Sequence, residues 1–178
     1  MWRTGTAAGA GTAALTALSL ILAGCAGSDP ASEPDSAGLS AGGSSTEELF
    51  VGECGSMTDE ELASITGIPR LVSTSKNAVR CRWDAPDSGA YAMFTWYRGS
   101  PIDRERTVAG RIGREIADID ADGHPGFTAR GNDLSCEAGV ESGDGFLHWS
   151  VNYAFATPPT DSCSVVEDLA RATVQNAK

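Results

Sequence analysis

Beyond its N-terminal stretch, this chain of 178 residues has no run approaching 18 apolar residues, the length a helix needs to cross a bilayer. It has no Cys-x-x-Cys pair, which leaves thioredoxin-like exchange without its motif. Its only histidines, His124 and His148, stand at no finger-like spacing from a cysteine, so the sequence assigns no metal or cofactor. No Gly-x-Ser-x-Gly elbow joins a strand to a helix, and there is no His-Glu-x-x-His and no Walker glycine loop. Positive charge is scarce too. Thirteen Lys and Arg face 24 Asp and Glu, a net charge of -11. Such an acidic chain is a poor partner for nucleic acid or anionic headgroups, although seven arginines between Arg80 and Arg114 leave room for one basic face.

What is present begins with the N-terminus. Arg3 precedes a short apolar run from Ala13 to Ala23, which ends in Leu22-Ala23-Gly24-Cys25. The run is too short and too rich in Ala and Gly for a spanning helix and has the layout of a secretory signal. The Leu-Ala-Gly-Cys junction resembles the lipobox of bacterial lipoproteins. That resemblance implies loss of residues 1–24, diacylglycerol on Cys25, and a place at the cell membrane on its extracytoplasmic side. Two acyl chains suffice to hold a small domain at a bilayer, at about 0.8 kcal/mol per buried CH₂. Losing Arg3 with the signal leaves 12 basic against 24 acidic residues, net -12. Residues 25–48 carry the lipidated cysteine and a Ser/Gly/Pro-rich linker with few large side chains. Such a stretch cannot offset its ordering entropy and is expected to act as a disordered spacer, its part up to about Ser45 reaching roughly 70 Å when extended. Residues 49–178 remain, enough for a single domain with one core.

Four cysteines remain in that domain: Cys54, Cys81, Cys136 and Cys163. An even number in an exported domain predicts two disulfides, for which three pairings exist. Cys54–Cys81 with Cys136–Cys163 is preferred, because each pair ties a strand to a neighbouring helix start. Each closes a separation of 27 residues, worth about 3.5 kcal/mol in the chain-entropy model.

Periodicity supplies the elements. Thr58-Asp59-Glu60-Glu61 reads as a capping box opening a helix that Gly67 and Pro69 stop. Val79, Cys81 and Trp83 alternate with Arg80 and Arg82 as a half-buried strand, and Ala90–Tyr97 forms a hairpin with it. The longest helix is expected from Pro101, with Val108, Ile112, Ile116 and Ile119 toward a sheet, and residues 123–126 as a loop. Phe127–Arg130 and Leu134–Val140 are expected as strands. Phe146–Phe155 is the clearest strand, with Leu147, Trp149, Val151, Tyr153 and Phe155 on its apolar side. A final helix runs from Ser162 to Ala177. These elements predict an α+β domain, an antiparallel sheet with helices packed on one face, whose core includes Val79, Trp83, Ile112, Ile116, Leu147, Trp149 and Val151.

The lipobox cysteine, Cys54 with Met57-Thr58-Asp59-Glu60-Glu61-Leu62, Cys81-Arg82-Trp83, and the late Cys136 and Cys163 together resemble the DUF3558 family of actinobacterial lipoproteins. The resemblance implies a cell-envelope lipoprotein and brings no catalytic residues with it. Among the residues themselves, Tyr91, Phe94, Trp96, His148 and Trp149 are candidates to line a ligand pocket for an envelope protein or lipid. Such aromatics more often simply fill a core. His148, Ser150 and Asp144 sketch a hydrolase triad only if strand neighbours reach hydrogen-bond geometry. Asp118-x-Asp120-x-Asp122-Gly123 spells half a calcium loop, but its twelfth position is Ala129 rather than a bidentate Glu. The function expected is a nonenzymatic binding or accessory role; the alternative is a small hydrolase with an unfamiliar Ser/His site.

Overall fold

A computed structural model describes residues 47–177. The signal, Cys25 and nearly all of the linker lie outside the described residues. After a 3₁₀ turn at Glu53–Ser56 come α1 (Asp59–Thr66), β1 (Val72–Lys76), β2 (Arg80–Ala85), β3 (Ala90–Tyr97), α2 (Ile102–Arg111), β4 (Glu115–Ala121), β5 (His124–Asn132), β6 (Ser135–Ser142), β7 (Gly145–Asn152) and α3 (Ser162–Asn176). The strands make one antiparallel sheet in the order β1-β2-β3-β7-β6-β5-β4. It is two meanders, β1–β3 and β4–β7, joined where β3 pairs with β7. The domain is therefore α+β with an antiparallel sheet.

Local chemistry explains the helix ends. The Thr58 hydroxyl accepts from Glu61 N–H at 3.1 Å, and Gly67 closes α1 in the left-handed region at φ 61°. Asp161 caps α3 by accepting from the Cys163 and Ser164 N–H groups. α1 and α3 lie on one face of the sheet, where the main core forms. There Trp149 packs between Trp83 and Phe94, with ring centroids 6.0 and 5.1 Å away. Three aromatic tips in this core have partners: Trp149 Nε1 donates to Thr173 Oγ1, Trp83 Nε1 to Asp59, and Tyr153 Oη to the Thr66 carbonyl. Cys54–Cys81 ties the 3₁₀ turn to β2, and Cys136–Cys163 ties β6 to the first turn of α3. The preferred pairing is the one present.

α2 packs on the opposite face. Its Ala109 meets Phe127, Ala129 and Ile116 in a small second cluster. This corrects the expected long helix, which ends at Arg111 because Gly113 turns left-handed at φ 85°. The chain then runs extended as β4. Ile116 and Ile119 are three apart, which fits a helix, but on a strand they take opposite faces. Ile116 joins the α2 cluster and Ile119 the main core. Ile112 is left 66% exposed and Val79, just ahead of β2, 52% exposed. Neither belongs to the core. Phe155 lies past the end of β7 and is 94% exposed. Residues 124–126 are strand rather than loop, because Asp122-Gly123 makes a two-residue hairpin with both φ angles positive, 52° and 89°.

Candidate functional site

The five aromatic and imidazole candidates do not line one cavity. Strand alternation divides them. Phe94, Trp96 and Trp149 point to the core face and all three are buried, Trp96 at the edge of the core with the Arg98 guanidinium 3.8 Å from its ring centroid. Tyr91 and His148 point to the other face, Tyr91 beneath Arg82 at 4.2 Å. Nor does the triad assemble. His148 and Ser150 share a face, but neither imidazole nitrogen and not the Ser150 hydroxyl has a hydrogen-bond partner, and Asp144 is exposed in the β6–β7 turn. The calcium-loop aspartates likewise part ways. Asp118 pairs with Arg106, Asp120 accepts from Gly123 N–H, and Asp122 accepts from Gln175.

What the far face does bring together is a buried polar cluster. Register sets it: Thr95 and Gly139 flank His148 on adjacent strands, and in the next row Ser150 stands opposite Glu137. Gly139 leaves room for the Phe127 ring, since a Cβ there would lie 2.7 Å from Cε1. His148 is 5% exposed and Glu137 8%. Tyr97 and Phe146, stacked with centroids 4.5 Å apart, present their rings edge-on to the imidazole. From above, Arg114, in the link between α2 and β4, reaches Glu137 Oε2 at 2.7 Å, and His148 Nε2 is 3.7 Å from the same oxygen. Glu105 of α2 completes the group. One donor atom from each of Glu105, Glu137 and His148 lies within 4.8 Å of the other two.

Electrostatics follow from burial. Loss of water, and secondarily the Arg114 charge, push His148 down to about 4, so the imidazole is neutral at pH 7. Burial raises Glu137, while Arg114 opposes the rise. Thr95 Oγ1 and Ser150 Oγ are buried without partners beside this pair. Of the group, sequence reasoning found only His148 and Ser150. Glu137 did leave a trace, as the single charge inside the small-residue run Cys136-Glu137-Ala138-Gly139-Val140.

On the core side, near the start of the domain, Phe50, Val51, Ala78, Trp96 and Arg98 edge an open depression of about 390 Å³, with Phe50 68% exposed.

A family model described as "Protein of unknown function (DUF3558)" matches residues 20–176. The chain belongs to the DUF3558 family. Curated relatives named "Putative lipoprotein LprB" occur in Mycobacterium tuberculosis and Mycobacterium bovis, each 38% identical over 136 residues, covering 72% of this chain and 73% of theirs. The Mycobacterium leprae protein of the same name is 36% identical over 132 residues, 70% of each chain. No solved structure matches significantly. Among the described residues, no helix of this DUF3558 protein is long and apolar enough to cross a membrane.

Proposed function

We propose that this DUF3558 protein is a lipoprotein anchored through diacylglycerol on Cys25 at the extracytoplasmic side of the cell membrane, and that its domain is a nonenzymatic binding or accessory module of the envelope. The anchor is supported by the Leu22-Ala23-Gly24-Cys25 junction and by relatives named as lipoproteins. The binding role is carried by the depression at Phe50, Trp96 and Arg98, where an exposed aromatic side chain stands beside a guanidinium-capped indole. Aromatic and Arg groups at an open apolar surface are the usual anchors of an interface. The unlinked, buried Ser150 and His148 fit this reading better than hydrolysis.

Photo-crosslinking from position 50 in cells tests the binding role. A reproducible envelope protein or lipid adduct, weakened by Trp96→Ala in a folded protein, is expected. A purified domain that turned over an envelope substrate, and lost that turnover in both His148→Ala and Ser150→Ala, would replace the module with a hydrolase. For the anchor, intact mass of membrane-fraction protein should show a diacylglyceryl adduct and loss of residues 1–24. An unmodified Cys25 in mature protein would reject it.

A further inference from the structure

We propose that Glu105, Glu137 and His148 form a binding site for one first-row divalent metal ion, of which Zn²⁺ fits best. The three donors come from two layers, Glu105 from α2 and the other two from neighbouring strands β6 and β7. They already stand within 4.8 Å of one another, and His148 Nε2 is 3.7 Å from Glu137 Oε2. Around a four-coordinate Zn²⁺ with bonds near 2.0–2.1 Å, donors sit about 3.3 Å apart, so the three need to draw together by about 1.5 Å at most.

The imidazole is the decisive group. It is 5% exposed, both its nitrogens lack hydrogen-bond partners, and its Nε2 points toward the Glu137 carboxylate. A buried polar ring without partners costs free energy, and a metal bond would satisfy it. Arg114, bound to Glu137 at 2.7 Å, takes the part of the outer partner that fixes a ligating carboxylate. Its charge against two carboxylates leaves the group at net -1, favourable for a dication. One imidazole with two carboxylates selects Zn²⁺ or a similar transition ion over Ca²⁺ and Mg²⁺, which prefer oxygen alone. Three protein donors leave the remaining coordination to water.

The test uses mature, oxidised protein stripped with chelator. Zn²⁺ titrated calorimetrically, and Co²⁺ followed by its visible d–d bands, should each bind at one equivalent per chain. Glu105→Gln, on the half-buried side of α2, should keep its circular dichroism and weaken Zn²⁺ at least tenfold. His148→Gln should abolish the Co²⁺ bands. Asp118→Asn, on the exposed hairpin, should change neither. Absence of stoichiometric uptake at micromolar metal would overturn the proposal. So would uptake that survives Glu105→Gln undiminished, even if His148→Gln failed to fold, or uptake that falls with Asp118→Asn instead.

Discussion

Truncating Leu169 to alanine separates the core that forms from the one that helical spacing alone suggests. Leu169 is fully buried at the middle of α3, among the residues that face Trp149 and the sheet. The change removes three carbons. Their transfer is worth roughly 2.4 kcal/mol at about 0.8 kcal/mol per methylene, and incomplete collapse around the gap brings the expected cost to about 2–5 kcal/mol. Alanine's better helix propensity returns only a few tenths of a kcal/mol. Ile112→Ala removes the same number of carbons from a side chain that stays mostly in water, and should cost within about 0.5 kcal/mol. The assay is urea unfolding of oxidised protein followed by tryptophan emission, with Trp149 bonded to α3 through Thr173. With a slope near 2 kcal/mol/M, a loss of about 3 kcal/mol moves the midpoint by about 1.5 M while the slope stays the same. A Leu169→Ala cost below about 1 kcal/mol, or an Ile112→Ala cost matching it, would refute the placement of α3 and the early end of α2.

Replacing either disulfide by a Ser pair should destabilise the domain by about 2–5 kcal/mol, and nonreducing peptide maps should show Cys54–Cys81 and Cys136–Cys163 peptides without a Cys81–Cys136 crosslink. Asp161→Ala should cost about 0.5–2 kcal/mol in chemical unfolding, because it removes the α3 cap. Arg130 holds the Asp161 carboxyl below its ordinary value, so this contribution is present above the unfolded-state pKa and is lost as pH falls through the lowered folded pKa; a cost that persisted undiminished at pH 2 would contradict the pairing. Gly139→Val should destabilise the far face more than Gly143→Ala does, since its Cβ would meet the Phe127 ring; equal midpoints would disprove that contact.

Much of this was legible in the sequence because the signals were local. The Thr58 cap, the alternation through Trp83 and Trp149, and the cysteine count each depend on a few neighbouring residues, and the structure realises them; of the capping box only the Thr58 half forms, because the Glu61 carboxylate accepts from Asn176 Nδ2. The break came where two periods agree over a short stretch. Ile112, Ile116 and Ile119 satisfy helical spacing, but Gly110 and Gly113 lie among them, and Asp122-Gly123 is a strong two-residue hairpin signal. A helix tolerates such glycines at about 1 kcal/mol each, but Gly113 takes a left-handed φ of 85° and the chain leaves it extended. The exposed β1, with no apolar alternation and a register shift between Ser73 and Ser75, offered nothing to detect. The buried cluster was illegible for a different reason. Glu105, Arg114, Glu137 and His148 come from four separate segments, and only the β6–β7 register with α2 above it brings them together.

The two faces of the sheet divide the work in a way that bears on that cluster. Both disulfides, the tryptophan stack and the two helices α1 and α3 sit on one side, where the buried indole and phenol tips have partners. On the other side lie Thr95, Glu137, His148 and Ser150, four buried polar groups, three of them without hydrogen bonds. Each such group costs about 1–3 kcal/mol, so this face weakens the fold that the opposite face secures. An apolar residue at any of the four positions would relieve the cost without disturbing the strand pattern. Retaining polar groups there is explained when they have something to hold, and the convergence of Glu105, Glu137 and His148 under Arg114 supplies the geometry for it.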